Sequence, residues 1–294
     1  ENHHLLQDIL HGEWGYDGAV VTDWGGSNDH VEGVREGSTL EMPCPGFGSA
    51  KRLMQGVEEG RLPESAVDAR VDELLELVFT TDAAVQAAPK RFDRDAHHAL
   101  ARRAAAESVV LLKNEDDLLP LKPGQSVALI GDFAQTPRYQ GAGSSSVNAT
   151  RVDNLKDAAE ADDITLAGFC AGYERSGTPN PAFVEEAAAL ARKADVVVLC
   201  MGLDESSESE GLDRSHICIP ENQKQLLEAV AQANENLVVV LSAGSVVETG
   251  WVSRCKAVLH AYLGGQAGAG AIMDVLTGRV NPSGKLAETL PLTY

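Results

Sequence analysis

The sequence is short of positive charge. It has 24 lysines and arginines against 44 aspartates and glutamates, a formal net charge of −20. Such a field repels phosphate backbones and anionic lipid, which argues against nucleic acid and a membrane surface as partners. A neutral or cationic small ligand suits it better, and plain solubility is the other reading of the same acidity. Long apolar runs are missing as well: none approaches the ~20 residues that cross a bilayer. Cysteine is sparse, with five residues and no Cys-x-x-Cys spacing. Cys170 and Cys200 lie in apolar segments, so buried free thiols are expected, which favours a reducing compartment without fixing one. The chain opens on Glu1 rather than Met, so a signal peptide cannot be judged and a native start further upstream is expected. Neither a Gly-x-Gly-x-x-Gly fingerprint nor a P-loop lysine occurs. The eight histidines show no metal-ligand spacing, and the adjacent His97 and His98 cannot face one site, so structural histidines are expected.

What is present is an ordinary globular composition. Apolar residues make up 44% of 294, enough for a sizeable core. Residues 2–13 have the pattern of a short amphipathic helix. "AVVTD" at 19–23 reads as a buried strand from its β-branched content. A weak helix follows in "HVEGVREG", a short extended segment in "STLEMP", and two helices within 49–80. A polar, Ala-rich connector is expected over 81–96. Residues 97–114 read as a helix running into a strand. Five apolar runs come next: "SVALIGDF", "DITLAGFC", "ADVVVLCMG", "LVVVLSAGS" and "AVLHAYLGG". Each reads as a strand buried on both faces. Helical stretches such as "PAFVEEAAALARKA" and "PENQKQLLEAVAQAN" separate most of them, which implies a mainly parallel, doubly wound sheet. The first 80 residues cannot enclose a core alone. They look like the closing part of a (β/α)8 TIM-type barrel whose earlier strands are absent from this sequence. The expected division is therefore 1–80, a linker over 81–96, and an α/β sandwich domain over 97–294.

Three segments could carry chemistry. Asp23 ends the strand "AVVTD", and functional groups of barrels and open α/β sheets sit at strand C-termini. Trp24 beside it offers a flat apolar face on which a pyranose can stack. A helix-capping Asp and a core Trp are the competing readings. The loop from Glu205 to Pro220 follows "ADVVVLCMG" and holds Glu205, Glu208, Glu210 and Asp213, with Arg214 as its one cation. It could be a solvated acidic loop. Equally, like-charge crowding is expected to raise one carboxyl's pKa, as a general acid requires. "GAGSSSVN", Gly141 to Asn148, could cradle a phosphate, touch sugar hydroxyls, or simply be flexible. "GDF" at 131–133 and "SAGS" at 242–245 read as structural turns.

Taken together, these segments resemble glycoside hydrolase family 3, the β-glucosidase-like enzymes. "WGYDGAVVTDW" looks like that family's nucleophile segment, and "ESEGLDR" followed by "IPENQKQLLEAV" like its acid/base loop and the helix behind it. "LARRAAAESVVLLKN" looks like the start of its second domain, and "GGQAGAGAIMDVLTGRVNPSGKLAETLP" like its end-of-sheet segment. The likeness spans nearly the whole chain in the family's order. It implies that Asp23 is the nucleophile, that Trp24 lines the first sugar subsite, and that Glu210 is the acid/base, with Glu208 the second choice. Ser144 falls on a loop serine able to reach the bound sugar. The implied activity is that of a retaining, exo-acting β-glucosidase working on a small β-glucoside or cello-oligosaccharide at a cleft between the two domains. No metal and no organic cofactor is implied. The rest of the barrel is expected from the same gene product, and a homodimer is compatible with the reading. The rivals are a β-xylosidase, against which Trp24 argues, an N-acetylglucosaminidase of the same family, and a non-catalytic sugar- or nucleotide-binding α/β module.

Overall fold

The computed structural model describes residues 1–44, 46–89 and 91–294. They fall into two compact units, Glu1–Phe92 and Asp93–Tyr294.

The first unit holds a π-helix, His4–Glu13, then α1 (His30–Glu36), α2 (Phe47–Glu58) and α3 (Glu64–Ala87). Asp29 starts α1 by accepting the N–H groups of Val31 and Glu32 on its carboxylate. The expected buried strand at 19–23 is not formed as such. Among the described residues of this segment only Val21 forms a bridge, parallel to Leu40, and it is 49% exposed. A buried strand needs a neighbour on each side and a helix layer over each face, and among the described residues Val21 finds one neighbour. No barrel sheet is formed among the described residues of this unit. The second difference concerns α3, which runs to Ala87 and so occupies the first part of the segment expected as a connector. Residues 81–88 are Ala-rich and contain no Gly or Pro, so nothing breaks the helix before Pro89. Helix α3 buries none of its residues, and Leu75, Phe79 and Val85 stand open.

The second unit follows the alternation seen in the sequence. Helix α4 (Arg94–Ser108) leads into β1 (Val110–Asn114). Then come β2 (Ser126–Ile130), α5 (Leu155–Glu160), β3 (Thr165–Cys170), α6 (Pro181–Ala191), β4 (Val196–Gly202), α7 (Glu221–Ala233), β5 (Leu237–Ser242), β6 (Ala257–His260) and α8 (Gly268–Leu276). The strands lie in the order β1-β6-β5-β4-β2-β3. Strand β1 pairs antiparallel to β6, and every other pair is parallel. Side chains alternate between two cores. From β4, Val196, Val198 and Cys200 pack with Leu155, Met273 and Leu276. Val197, Leu199 and Met201 pack on the opposite face with Ala187, Leu226 and Val230. Strands β4 and β5 are buried throughout, as their continuous apolar runs require. Strand β3 departs from that expectation, because Thr165 and Ala167 are exposed. It is an edge strand, with a partner on one side only.

Chain direction in this sheet decides where a site can form. From β2 the chain crosses to β3 at one edge, and from β4 it crosses to β5 on the other side. The loops leaving β2 and β4 therefore part at a topological switch point, where open α/β sheets bind ligands. Gly202 closes β4 there with φ +150°, and a Cβ on it would lie 1.8 Å from the Ser242 carbonyl oxygen. Gly202→Ala should destabilise the unit by at least about 2 kcal/mol, through clash and backbone strain. An unchanged denaturant midpoint would contradict this packing.

Candidate active site

Two of the segments singled out in the sequence meet at the switch point. The Gly/Ser loop follows β2 and the acidic loop follows β4. A parallel bridge joins Ala142 to Ser209, and the Glu210 N–H donates to the Ala142 carbonyl at 3.2 Å. Across this seam Ser144 donates its N–H to Glu210 Oε2 at 2.8 Å, and its hydroxyl donates to the same oxygen. Gly143 makes the approach possible, since its φ is +91° and a Cβ there would meet the Glu210 Cβ at 2.7 Å. The Ser144 hydroxyl, and after it the Ser144 N–H, hold the Glu210 carboxyl below the usual glutamate range. For Glu210 this reverses the expectation of a pKa raised by crowding: hydrogen bonding to the charged form outweighs the loss of hydration.

Glu208, two residues earlier, is held differently. The Gly244 N–H lies 3.1 Å from its Oε1 and 2.9 Å from its Oε2, and the Ser245 hydroxyl donates to Oε1 at 2.5 Å. Arg138, only 3% exposed, donates to the Glu208 backbone carbonyl at 3.3 Å and sets Nη2 3.8 Å from Oε2. Arg214 reaches the same seam, its Nη2 donating to Ser245 Oγ at 2.8 Å and to the Val246 carbonyl at 2.7 Å. The "SAGS" turn after β5 thus does more than end a strand, contrary to its reading as purely structural. Glu205 is taken up by Arg175, at 3.3 Å, and Arg175 also holds Asp132. A pocket of about 550 Å³ opens beside these groups, lined by Arg138, Glu208, Leu212, Arg214, His216, Ser245, Leu263 and Tyr294 among others. Glu208 lines it and Glu210 does not.

Asp23 and Trp24 belong to the first unit. Asp23 Oδ1 accepts the Trp24 N–H at 2.7 Å. The capping Asp of α1 is Asp29, so Asp23 does not serve as a helix cap. Trp24 is 65% exposed, so its ring is not a core side chain of the unit. Among the described residues no group of three His, Cys, Asp or Glu could hold a metal ion. His98 is buried between Asp153 Oδ2, at 2.7 Å, and the Gln266 amide, at 2.9 Å. Cys170 and Cys200 are buried free thiols, and burial pushes both up to about 12.

Sequence reasoning missed Arg138 and Ser245. Ser245 carried a usable signal, because it follows a strand on the same sheet edge as the acidic loop. Arg138, a single cation in a loop, carried none.

A mixed α/β sheet domain with anchored carboxylates at its switch point is the class this geometry defines. Known proteins narrow it. The Glycosyl hydrolase family 3 C-terminal domain matches residues 109–293, and the chain belongs to glycosyl hydrolase family 3. It is 48% identical over 297 residues to thermostable beta-glucosidase B of Acetivibrio thermocellus, a match that covers 99% of this chain and 39% of that protein. It is 42% identical to an exo-alpha-(1->6)-L-arabinopyranosidase of Bifidobacterium breve, over 99% of this chain and 40% of the relative. The crystal structure of a Bifidobacterium adolescentis GH3 beta-glucosidase superposes with a TM-score of 0.93 at 42% identity, covering 99% of this chain and 43% of that one. The chain thus spans about two fifths of the length of these relatives.

The Ser144–Glu210 contact can be tested directly. Ser144→Ala removes the hydroxyl and keeps the N–H. Carbon-13 titration of the carboxyl should show the Glu210 pKa rising toward the ordinary glutamate value. An unmoved titration would mean that the hydroxyl does not hold this carboxylate.

Proposed function

We propose that this chain carries both catalytic carboxylates of a retaining, exo-acting β-glycosidase, which releases terminal β-D-glucosyl residues from small β-glucosides or cello-oligosaccharides. The observation that carries the reading is the 48% identity to a protein named a beta-glucosidase, over a span that includes both carboxylate segments. In the proposed reaction Asp23 attacks the anomeric carbon and forms a glycosyl ester. Its Oδ1 accepts the Trp24 N–H, which leaves Oδ2 to attack. A carboxyl of the acidic loop protonates the departing oxygen, then takes a proton from the water that hydrolyses the ester. Retention requires the two carboxyl groups about 5–5.5 Å apart across the scissile bond. Trp24 stacks against the sugar ring. Residues 1–80 act as the closing part of a (β/α)8 barrel completed by the same gene product.

The resemblance assigns the acid/base role to Glu210. Glu208, which lines the pocket, is the second choice. Hydrogen bonding does not separate the two, because Ser144 holds the Glu210 carboxyl while Gly244 and Ser245 hold that of Glu208. Glu210 is therefore the proposed acid/base, and its contact with Ser144 ties the acidic loop to the Gly/Ser loop. The same contact weakens the nucleotide-binding alternative, because the Ser144 donors that a phosphate would use already serve a carboxylate. A second substrate reading, an α-L-arabinopyranoside, is favoured by the relative of that name. That sugar has a six-membered ring without the hydroxymethyl group of glucose.

The test uses the full-length protein. Glu210→Ala should slow alkyl β-glucosides by ~10²–10⁴-fold, spare activated aryl glucosides, and yield a β-glycosyl azide when azide is added. Should Glu208→Ala show this pattern instead, Glu208 is the acid/base. A higher kcat/KM on aryl α-L-arabinopyranoside than on aryl β-D-glucoside selects the second substrate. Turnover of neither pyranoside defeats the glycosidase reading.

A further inference from the structure

We propose that Gln140 is a positioning residue that closes the neck of the Gly/Ser loop and so sets Ser144 against the Glu210 carboxyl group. The inference rests on the Glu210 reading above.

The loop needs such a brace. Between Gln140 and Val147 the chain reads Gly-Ala-Gly-Ser-Ser-Ser. A stretch of this composition has no large apolar side chain to anchor it, and its glycines lose much backbone entropy on ordering. Within it the Ser146 N–H donates to the Gly143 carbonyl at 3.2 Å, which bends the tip without tying it to the fold. Gln140 supplies the tie. Its Oε1 accepts the Val147 N–H at 3.0 Å, and its Nε2 donates to the Val147 carbonyl at 3.2 Å. One side chain thus pairs with both main-chain groups of one residue, as a residue of a neighbouring strand would. The amide has a single acceptable orientation, because turning it over would set donor against donor and acceptor against acceptor. The other Nε2 hydrogen goes to the Tyr139 hydroxyl at 3.0 Å, so both donors are used.

Below the neck, the two ends of the loop stand on one segment after β6. The Gly265 N–H donates to the Tyr139 carbonyl at 2.9 Å, and the Asp153 N–H to the Gln266 carbonyl at 2.9 Å. The His98 ring, between the Asp153 carboxylate and the Gln266 amide, joins the same two residues by their side chains. Above the neck, the tip lies along the acidic loop through the Ala142–Ser209 bridge and the two Ser144 donors on Glu210 Oε2. The acidic loop has its own anchor, where Gly244 and Ser245 hold Glu208. Each loop is therefore fixed from a different strand end, and the neck sets where Ser144 meets Glu210. Without the Gln140 amide the tip opens back toward its feet, and Ser144 loses its fixed place beside Oε2.

The test uses the full-length protein and compares wild type with Gln140→Met, Gln140→Asn, Ser144→Ala and the double variant Gln140→Met/Ser144→Ala. Methionine matches glutamine in length and makes neither bond. Asparagine keeps the amide but falls a methylene short of Val147. The substrates are an alkyl β-glucoside and 2,4-dinitrophenyl β-glucoside. The dinitrophenolate leaves without a proton, so only the alkyl substrate reads the acid. Both Gln140 variants should lower kcat on the alkyl glucoside ~10-fold, with little change in KM and little change on the aryl glucoside. In the double variant the two losses should not multiply, because both act through one contact. Unfolding temperatures of the variants check that the fold is kept. An equal fall on both substrates, no fall on either, or losses that multiply would overturn the inference. A wild-type protein that turns over neither substrate would overturn the glycosidase reading itself, and this inference with it.

Discussion

The divergence of two loops at the β2/β4 switch point is the constraint on which the rest of the second unit depends. Parallel strands need crossovers, and crossovers taken in opposite directions leave a gap that side chains or a ligand must fill. Here the gap is closed at one level by the Ala142–Ser209 bridge and the Ser144–Glu210 contact. Beside that seam the Glu208 carboxylate is held by donors from the β5 turn. Each carboxylate is thus fixed by a strand-end loop rather than by its own flexible segment, which is how a rigid sheet gives precision to loop residues.

An acidic chain must also keep its carboxylates from repelling one another. The second unit does this by sharing arginines. Arg175 serves Asp132 and Glu205, and Arg279 serves Asp162 and Asp274. Asp274 takes Arg102 as well, which links α4 to α8. Arg138 is the buried member of the set, and it lies against Glu208. The scarce cations are spent at the switch point and at the helix contacts. The surface keeps the negative excess, which suits a neutral ligand such as a sugar.

The second unit was largely legible in the sequence. Continuous Val/Leu/Ile runs of this length read as buried strands, and the helices between them imply parallel pairing, so β2 and β4–β6 fall where the runs lie. The edge strand β3 and the six-residue α5 were harder, because edge position is a property of the whole sheet and six residues show no helical period. The first unit resisted for a different reason. "AVVTD" has the composition of a buried strand, but burial depends on neighbours, and among the described residues Val21 bridges to Leu40 alone. At the candidate site the carboxylates and Ser144 could be named from residue type and strand-end position. Their donors could not. Ser245 and Arg138 contact Glu208 from 37 and 70 residues away in sequence, a proximity that only the strand order produces.

The central claim is that Asp23 forms a covalent bond to the sugar. Incubating the full-length protein with a 2-deoxy-2-fluoro-β-D-glucoside bearing a good leaving group should trap that ester, and peptide mass spectrometry should locate one fluoroglucosyl group on Asp23. A label on another carboxylate, or an active enzyme that is neither inactivated nor labelled, would contradict the account.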